Sequence, residues 1–272
     1  MPELPEVETV RRQLEPLIVG ARIVESEAHP SAKFSQATLA TGYRVEGIDR
    51  RGKYLLIGLG DGMAMAPSME LIVHLGMTGG VHVVDSIPDD PYLRAWWSLK
   101  DGRFMMFRDV RRFGRLAVVP TGEYSSLPTL HALGPEPFDP ALDGRSFHAA
   151  LARSRRHVKT SLLSQRPVAG VGNIYADEAL WRSRINPAAR RVGPDRSERL
   201  LAAIREVLSE ALANNGTTLR DYRTPAGDSG NNQEFLDCYG RGGQPCRSCG
   251  STLSTRQLDQ RTTTWCPTCQ VR

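Results

Sequence analysis

Residues 246–269 read CRSCGSTLSTRQLDQRTTTWCPTC, and this stretch decides how the end of the chain folds. It holds two C-x2-C pairs, Cys246 with Cys249 and Cys266 with Cys269, separated by sixteen residues. That spacing lets two knuckles place four thiolates tetrahedrally around one Zn2+ ion, as in a structural zinc ribbon. A pair of disulfide bonds is the alternative, which a reducing cytosol disfavours. We therefore predict one structural zinc with no open position for a substrate.

The segment before the cysteines carries helical patterns. A glycine-rich turn, VAGVGNIYADEAL (168–180), places Gly170 and Gly172 just before a helix that we expect to start near Asn173. Backbone N–H groups at a helix start can bind a phosphate, but the same glycines can simply turn a corner. Apolar residues recur at helical spacing in four segments, 147–152, 158–163, 174–181 and 200–212. This half of the chain is therefore predicted to be mainly helical.

The first half reads as one helix followed by short strands. Apolar residues at helical spacing from Val7 to Ile18, with Pro5 in the first turn, predict the helix. Runs of β-branched, aromatic and aliphatic residues predict strands at 45–48, 54–59, 71–75, 95–99 and 104–107. Between the last two, the pair Asp101-Gly102 is typical of a tight type I′ hairpin. We expect an antiparallel sandwich or barrel, followed by a proline-rich interdomain linker.

Composition limits the classes of function. The 272 residues are 40% hydrophobic and 24% charged, as in an ordinary globular protein. No apolar run approaches the ~20 residues of a membrane span, so we expect no membrane partner. Glu3, Glu6 and Glu8 stand where a signal peptide would need an apolar core. We therefore expect a cytoplasmic protein.

The arginines are clustered, although the net charge is only +5. Residues 153–159 contain three arginines and Lys159 without an acid, and residues 108–115 contain four arginines with only Asp109. Residues 241–272 contain five arginines and one acid. Such clusters suggest a polyanionic partner, because each phosphate contact releases counterions. The alternative is a well-solvated charged face.

Six motifs, in order along the chain, resemble those of the formamidopyrimidine-DNA glycosylase (Fpg) family, which shares its fold with endonuclease VIII (Nei). They are PELPEVETVRR (2–12), RRGKYL (50–55), HLGMTG (74–79), RDVRRFG (108–114), GVGNIYADEAL (170–180) and QRTTTWCPTCQ (260–270). The resemblance covers essentially the whole chain. It implies an α+β fold with an N-terminal helix, an antiparallel β-sandwich, a helical domain with a helix-two-turn-helix element, and a β-hairpin zinc ribbon.

The resemblance also implies a division of the chain. We expect a catalytic sandwich domain at 1–120, a linker at 121–142, a helical DNA-binding domain at 143–240 and a zinc finger at 241–272. The expected partner is double-stranded DNA with damaged bases or abasic sites. We expect a monomer, in a bacterial cytoplasm and associated with the nucleoid.

For the chemistry, the resemblance implies a bifunctional DNA glycosylase/AP lyase whose nucleophile is Pro2 after removal of Met1. The reference pKa of an α-amino group is about 7.7 to 8.0, so a useful fraction is neutral at pH 7. Glu3 resembles the family's acid/base residue, and Glu6 its second carboxylate, with a supporting or lesion-positioning role. The alternative for both is the ordinary preference of acids for a first helical turn.

Further residues match the family's contacts with DNA. Lys53, His74, Asn173 and Arg261 match the backbone contacts around the extruded nucleotide, Lys53 and Arg261 being grouped with the catalytic residues. Met77, Arg111 and Phe113 match the wedge that fills the gap left by a flipped base. Arg112 and Lys159 come from the basic clusters and are also expected to bind DNA. Alone, Lys53 would read as a strand end and His74 as a core histidine.

The wedge residues favour the Fpg branch, and so oxidised purines such as 8-oxoguanine opposite cytosine and formamidopyrimidines. The stretch RTPAGDSGNNQEFLDCYGR (223–241) departs from the family's pattern, which leaves the lesion-capping loop around 221–234 open. The alternatives are a Nei-like glycosylase for oxidised pyrimidines and a catalytically silent DNA-damage-binding protein. A zinc-ribbon protein of transcription or translation would not explain the N-terminus.

Overall fold

The computed structural model describes residues 1–62, 66–219 and 222–271. The chain forms two compact units, the first made of Met1–His131 with Asn214–Asn231 and the second of Ala132–Ala213 with Asn232–Arg272. Among the helices of the described residues, none combines the length and the apolar character that a membrane crossing requires.

The first unit is one helix followed by two four-stranded antiparallel sheets. One sheet has the strand order β1-β6-β7-β5, and the other has the order β2-β3-β4-β8. Its elements are α1 (Leu4–Ile18), β1 (Ile23–Ala28), a 3-10 helix (Ser35–Ala40), β2 (Arg44–Arg51), β3 (Tyr54–Gly60), β4 (Met69–His74), β5 (Gly79–Val84), β6 (Leu93–Leu99), β7 (Phe104–Asp109), β8 (Arg115–Pro120) and α2 (Pro128–His131). The predicted helix and antiparallel sandwich are confirmed.

One hydrophobic core cluster joins helix α1 to both sheets of the first unit. The sheet of β2, β3, β4 and β8 buries residues such as Ile57, and the other sheet buries residues such as Trp97. Helix α1 adds the predicted stripe from Val7 to Ile18, except that Leu17 is exposed. Fully burying one such aliphatic side chain contributes about 1.5–3 kcal/mol. The core therefore fixes the first turn of α1 against the sheets.

The hairpin between β6 and β7 forms where it was predicted but with a different turn. Gly102 has a φ of +93°, while Asp101 does not adopt a positive φ, as a type I′ turn would require. The Leu99 N–H donates to the Arg103 carbonyl at 2.8 Å, and the Gly102 N–H donates to the Leu99 carbonyl at 2.9 Å. This is the three-residue loop in which a type I turn is followed by a left-handed residue. The type I′ prediction is therefore wrong.

The second unit is helical and ends in a β-hairpin. Its elements are α3 (Gly144–Ala152), α4 (Val158–Leu163), α5 (Asn173–Arg182), α6 (Pro194–Ala213), a 3-10 helix (Asn232–Phe235), β9 (Ser254–Leu258) and β10 (Arg261–Trp265). All four predicted helical segments are helices. Asp143 caps α3 by accepting the N–H of Ser146 at 2.7 Å. Helix α6 packs against α3 and α5.

The compact units do not follow the predicted domain boundaries residue by residue. The first unit ends at His131, inside the predicted linker 121–142, and residues 214–231 pack with the first unit although they were assigned to the helical domain. Compact units and functional domains are different divisions of a chain, so the four predicted domains stay a prediction.

Candidate functional site

The residues that follow Met1 are buried at the start of α1, although Met1 itself is 51% exposed. Pro2 is buried, and Glu3 and Glu6 are only 2% and 1% exposed. Glu3 is the N-cap residue, and its backbone N–H donates to Glu6 Oε2 at 2.7 Å. Pro5 stands in the first turn, where the missing proline N–H has no helical partner to lose. The sequence therefore places Pro2 and two carboxyl groups on a fixed backbone.

Glu6 also holds a distant part of the first unit. Its Oε1 accepts the N–H of Thr217 at 2.7 Å, and the Tyr222 hydroxyl donates to its carbonyl at 3.3 Å. Burial raises the pKa of Tyr222, and the charge of Glu6 raises it further. Gly216, with a φ of +82°, lets the backbone approach, since a Cβ there would lie 2.8 Å from Glu6 Oε1. Glu6 thus joins the first turn of α1 to Gly216, Thr217 and Tyr222.

A second network connects α1 to the turn that carries Lys53. Arg50, at the end of β2, donates from Nε to Glu8 Oε2 at 3.2 Å and from Nη1 to the Gly52 carbonyl at 3.0 Å. Although burial acts to raise the pKa of Glu8, hydrogen bonds from Arg11 and other arginines lower it. Lys53 follows Gly52 and is only 2% exposed. The ionised Glu8 therefore holds the Lys53 turn beside α1.

His74 ends β4 opposite Tyr54, the residue after Lys53, and their rings lie 4.6 Å apart. Burial, together with the charge of Lys53, lowers the pKa of His74 to about 4. The imidazole is therefore neutral at pH 7. It can donate one hydrogen bond to a phosphate oxygen but cannot act as a cation.

The turn that carries Met77 and the loop that carries the other wedge residues form one framework around Asp109. This fully buried carboxylate accepts from the Thr78 hydroxyl at 2.6 Å and from the Gly114 N–H at 2.7 Å. The Thr78 hydroxyl in turn accepts the N–H of Arg111 at 3.0 Å. A Cβ on Gly76 would lie 2.4 Å from the Gly114 nitrogen, so the two backbones are in close contact.

The loop itself presents aromatic and cationic side chains to solvent. Phe113 is 51% exposed, which is unusual for a phenylalanine and suits a wedge. The guanidinium of Arg111 lies 5.1 Å from its ring centroid. Arg112 adopts a φ of 56°, in the left-handed region, and its carbonyl accepts from Lys33 Nζ at 2.8 Å. The sequence did not indicate Lys33, because it lies outside all six motifs.

In the second unit, the four predicted zinc ligands come together. Their Sγ atoms all lie within 4.8 Å of one another, and those of Cys249 and Cys266 are 3.5 Å apart. Zn–S bonds of about 2.3 Å in a tetrahedron place the sulfur atoms about 3.8 Å apart, so the set fits zinc. The Trp181 indole N–H, from α5, donates to Cys246 Sγ at 3.3 Å. The chain therefore holds one structural zinc, as predicted.

Cys238 is the remaining cysteine, and it lies beside the zinc ligands without joining them. It is fully buried, packs against Leu253 and Cys266, and donates from Sγ to the Thr264 carbonyl at 3.1 Å. Burial raises the pKa of its thiol. Cys238 therefore packs as a small apolar residue.

Arg261 starts β10, directly after an unusual turn. Asp259 and Gln260 have φ values of 47° and 64°, so two residues other than glycine occupy the left-handed region. The Asp259 carboxylate accepts a short hydrogen bond from the Thr160 hydroxyl, and it lies 3.0 Å from Nδ1 of His157. Both partners belong to the start of α4. The start of α4 thus holds the turn that presents Arg261.

Lys159 and Asn173 contact the residues of β10 that follow Arg261. Lys159 is 1% exposed, and its Nζ contacts Asp177 Oδ1 at 2.7 Å, the Thr262 carbonyl at 3.0 Å and Thr263 Oγ1 at 2.9 Å. A buried ammonium with three partners does not present its charge to a phosphate. The expected DNA contact of Lys159 stays a prediction, and the contacts of its ammonium favour a positioning role instead. Asn173 Nδ2 donates to the same Thr262 carbonyl at 3.2 Å.

The predicted residues thus form two groups. The first unit contains Pro2, Glu3, Glu6, Lys53, His74, Met77, Arg111, Arg112 and Phe113. The second unit contains Asn173, Lys159, Arg261 and the four cysteines. Sequence reasoning missed the residues that hold them, among them Thr217, Arg50, Asp109 and Asp177. Their contacts join segments that are distant along the chain, so a local pattern does not indicate them. Of the predicted capping loop, Asp221 lies outside the described residues.

Three family models together match most of the chain. The formamidopyrimidine-DNA glycosylase N-terminal domain matches residues 1–116, and the H2TH domain of the same proteins matches residues 133–223. The zinc finger found in FPG and IleRS matches residues 243–271. The three matches follow the order of the sandwich, the helices and the zinc ribbon.

Curated relatives and solved structures agree with these matches. The formamidopyrimidine-DNA glycosylase of Deinococcus radiodurans is 45% identical, covering 99% of this chain and 97% of its own. The crystal structure of the MutM (Fpg) protein of Thermus thermophilus is 45% identical with a TM-score of 0.90, covering 99% of this chain and 98% of that one. The Lactococcus lactis Fpg in complex with abasic-site DNA is 33% identical with a TM-score of 0.87, covering 99% and 100%.

Proposed function

Because the chain belongs to the formamidopyrimidine-DNA glycosylase family, whose members are DNA glycosylases of base excision repair with AP lyase activity, we propose that Pro2 is its nucleophile. The observation that carries this proposal is the geometry of the N-terminus. Pro2 is buried next to Glu3, and the Glu6 carboxylate fixes the backbone of both by accepting the Glu3 N–H at 2.7 Å. Removal of Met1 turns the Pro2 nitrogen from an amide into a secondary amine.

The proposed reaction begins with displacement of the base by the amine of Pro2. The proline nitrogen bonds to C1′ of the deoxyribose while the bond from C1′ to the base breaks, and the base leaves with a proton. The C1′–O4′ bond then breaks, O4′ takes up a proton, and an iminium forms between the nitrogen and C1′. Loss of a C2′ proton breaks the C3′–O bond with departure of one phosphate, and loss of the C4′ proton breaks the C5′–O bond with departure of the other. Water finally hydrolyses the imine and returns the free amine. Covalent capture divides a difficult strand cleavage into easier steps.

Glu3 is proposed to move the protons in this sequence. Its side chain is 2% exposed and belongs to the residue that follows the nucleophile, so it can donate to the sugar or base and accept afterwards. Glu6 is proposed as a positioning residue, because both of its carboxylate oxygens accept backbone N–H groups. The proposal thus prefers the supporting role over the lesion-positioning role that was also expected for Glu6.

The remaining predicted residues are proposed to hold the DNA. Lys53 and Arg261 supply cationic contacts to phosphates beside the extruded nucleotide, while neutral His74 and the amide of Asn173 supply hydrogen bonds. Met77, Arg111 and Phe113 fill the gap left by the flipped base, with Arg112 on the exposed edge of the same loop. This wedge supports oxidised purines, chiefly 8-oxoguanine opposite cytosine and formamidopyrimidines, as substrates.

The partner is damaged or abasic-site duplex DNA, as in the complexes of the Lactococcus lactis relatives. We further propose that the protein acts as a monomer, since one chain contains every residue of the proposed site. Its proposed localisation is the bacterial cytoplasm, in association with the nucleoid. The proposed domains remain 1–120, 121–142, 143–240 and 241–272.

Covalent trapping tests the proposal. The processed, zinc-loaded protein is incubated with a duplex carrying 8-oxoguanine opposite cytosine, and borohydride is added to reduce the iminium. We expect a protein–DNA adduct whose peptide map places the DNA on Pro2. A correctly processed protein that gives no adduct is either Nei-like, if it traps on oxidised pyrimidines, or catalytically silent.

A matched control separates the proline from other amines. Protein that retains Met1 has an amide at Pro2, so we expect no trapping from it on the same duplex. Undiminished trapping by that form would identify a different nucleophile, because every lysine remains unchanged.

A further inference from the structure

An arginine-lined cavity lies in the second unit, and the side chains that line it were given no role above. It has a volume of about 670 Å3 and lies between the end of α3, the segment before α4 and the segment before α6. Arg155, Arg156, Arg190 and Arg191 line it, and all four are exposed. No acidic side chain is among the residues that line it. The cavity therefore concentrates positive charge.

The walls of the cavity hold these arginines on a fixed backbone. The Val158 N–H donates to the Ala189 carbonyl at 2.7 Å, and Arg190 Nη1 donates to the Arg155 carbonyl at 3.1 Å. The buried side chains of Val158 and Val192 lie beneath. The two arginine-bearing segments are thus joined to each other.

Among the described residues, none of the four guanidinium groups forms an ion pair with a carboxylate, whereas Arg182 in the same unit contacts Glu210 at 2.7 Å. Asp259, in an adjoining depression, acts electrostatically on Arg190 without forming an ion pair with it among the described contacts. Like charges gathered in a concave surface repel one another and attract anions. An arginine fork also matches the oxygens of a phosphate. The chemistry of the cavity therefore fits a phosphodiester.

The position of the cavity indicates which phosphodiester it binds. A smaller depression of about 420 Å3 is lined by Arg155, Arg156 and Arg190 together with His157, Thr160 and Asp259. Asp259 stands two residues before Arg261, on the turn of the zinc hairpin. The arginine surface is thus continuous with the hairpin that presents Arg261.

We propose that the arginine cavity binds the backbone of duplex DNA beyond the nucleotides that Arg261 contacts, and so extends the footprint along the helix. This inference rests on the proposed function, because Arg261 sets the direction of the DNA. The cavity contributes affinity that does not depend on sequence or damage. It leaves the chemistry at Pro2 untouched.

The test compares two triple variants with the same change in charge. R155Q/R156Q/R191Q removes three arginines of the cavity and keeps Arg190, which bonds to the backbone. R145Q/R166Q/R199Q removes three exposed arginines of the same unit that line neither cavity. Anisotropy titrations measure Kd over a range of salt concentrations. The probes are an undamaged duplex and an abasic-analogue duplex, each in a short form and a form one helical turn longer on each side.

On the long duplexes, we expect the cavity variant to reduce the slope of log Kd against log salt by about two to three, since each phosphate contact contributes about 0.9. We expect the control variant to change the slope by less than about one. R155K/R156K/R191K should restore most of the slope, because lysine keeps the charge. Equal slopes for the two triple glutamine variants on the long duplexes would overturn the proposal.

Trapping on the short duplex separates this inference from the proposed function. We expect the cavity variant to trap 8-oxoguanine DNA as wild type does. If the wild type fails to trap, the function fails, while the slope on undamaged DNA still tests the cavity. A cavity variant whose trapping on the short duplex falls as much as its long-duplex binding would place these arginines in the catalytic contacts and overturn the extended footprint.

Discussion

Replacing Lys159 by methionine tests whether this residue touches DNA or only holds the fold. The ammonium contacts Asp177 at 2.7 Å and two oxygens of β10, and both charged side chains are 1% exposed. Burial raises the pKa of Asp177 to about 7 even beside Lys159, so a carboxyl left without the ammonium takes up a proton at neutral pH. Removing one partner of a buried ion pair costs about 3–5 kcal/mol when the other group stays charged, which sets the upper limit here. At about 1.4 kcal/mol per tenfold change, the folding equilibrium of the second unit should fall by up to roughly two to four orders of magnitude, and most at alkaline pH.

The structure also predicts a rescue. Asp177 Oδ2 accepts the Thr264 N–H at 3.0 Å, and an asparagine amide oxygen keeps that acceptor without the charge. K159M/D177N should therefore unfold at a higher urea concentration than K159M alone. Fluorescence of Trp181 and Trp265, both in the second unit, follows the transition, and the release of zinc to a colorimetric chelator gives a second measurement.

A DNA contact at Lys159 would behave differently. K159M would then keep the wild-type urea midpoint, and the salt slope of DNA binding would fall by about one. That pair of results would refute the positioning role and restore the contact expected from the basic cluster. Loss of stability without the double-variant rescue would show that packing, not the unpaired carboxylate, causes the defect.

Three further predictions follow from contacts at the site. Asp259→Ala removes the hydrogen-bond acceptor that fixes the hairpin turn. At about 1 kcal/mol per lost hydrogen bond, we expect the KM for abasic-site duplex to rise several-fold while the zinc content stays unchanged. An unchanged KM would contradict this. Gly216→Ala should destabilise the protein more than Gly227→Ala in urea unfolding, because both glycines have positive φ but only the first would bring a Cβ to 2.8 Å from Glu6 Oε1. The folded pKa of His74, about 4, lies below the ordinary 6.5, so the unfolded chain binds more protons between these values and stability falls as pH falls through that window. His74→Gln should flatten that part of the pH dependence, and an equal slope in both proteins would count against a neutral imidazole.

Local patterns predicted the elements well, because each depends on neighbouring residues. The cysteine spacing determines the zinc site by itself, and the apolar stripe from Val7 to Ile18 determines α1. Strands β1, β5 and β8 were not singled out. In β1 only Ile23 of the six residues is buried, which leaves little alternation to detect. The turn at Asp101-Gly102 shows the limit of a dipeptide rule, since the same pair suits a three-residue loop.

The arrangement of the site was less accessible to sequence reasoning. Glu6 reads as a first-turn acid, and its bond to Thr217 joins residues 211 positions apart. Lys159 reads as part of an exposed basic cluster, but Asp177 on the next helix draws it into the interior. A one-dimensional charge pattern does not show which members have a buried partner. Long-range pairing of this kind becomes visible only when the elements are placed.

The carboxylate of Asp109 holds the backbone of the loops that carry the proposed wedge, and its hydrogen bonds in the described part of the chain do not involve the wedge side chains themselves. Thr78 and Gly114 are held through side-chain and backbone atoms that do not include the side chains of Met77, Arg111 or Phe113. Those three side chains can therefore be exchanged as a set while the scaffold that carries them stays the same. On the role proposed for these side chains, a small library at the three positions varies the wedge without redesign of the loops.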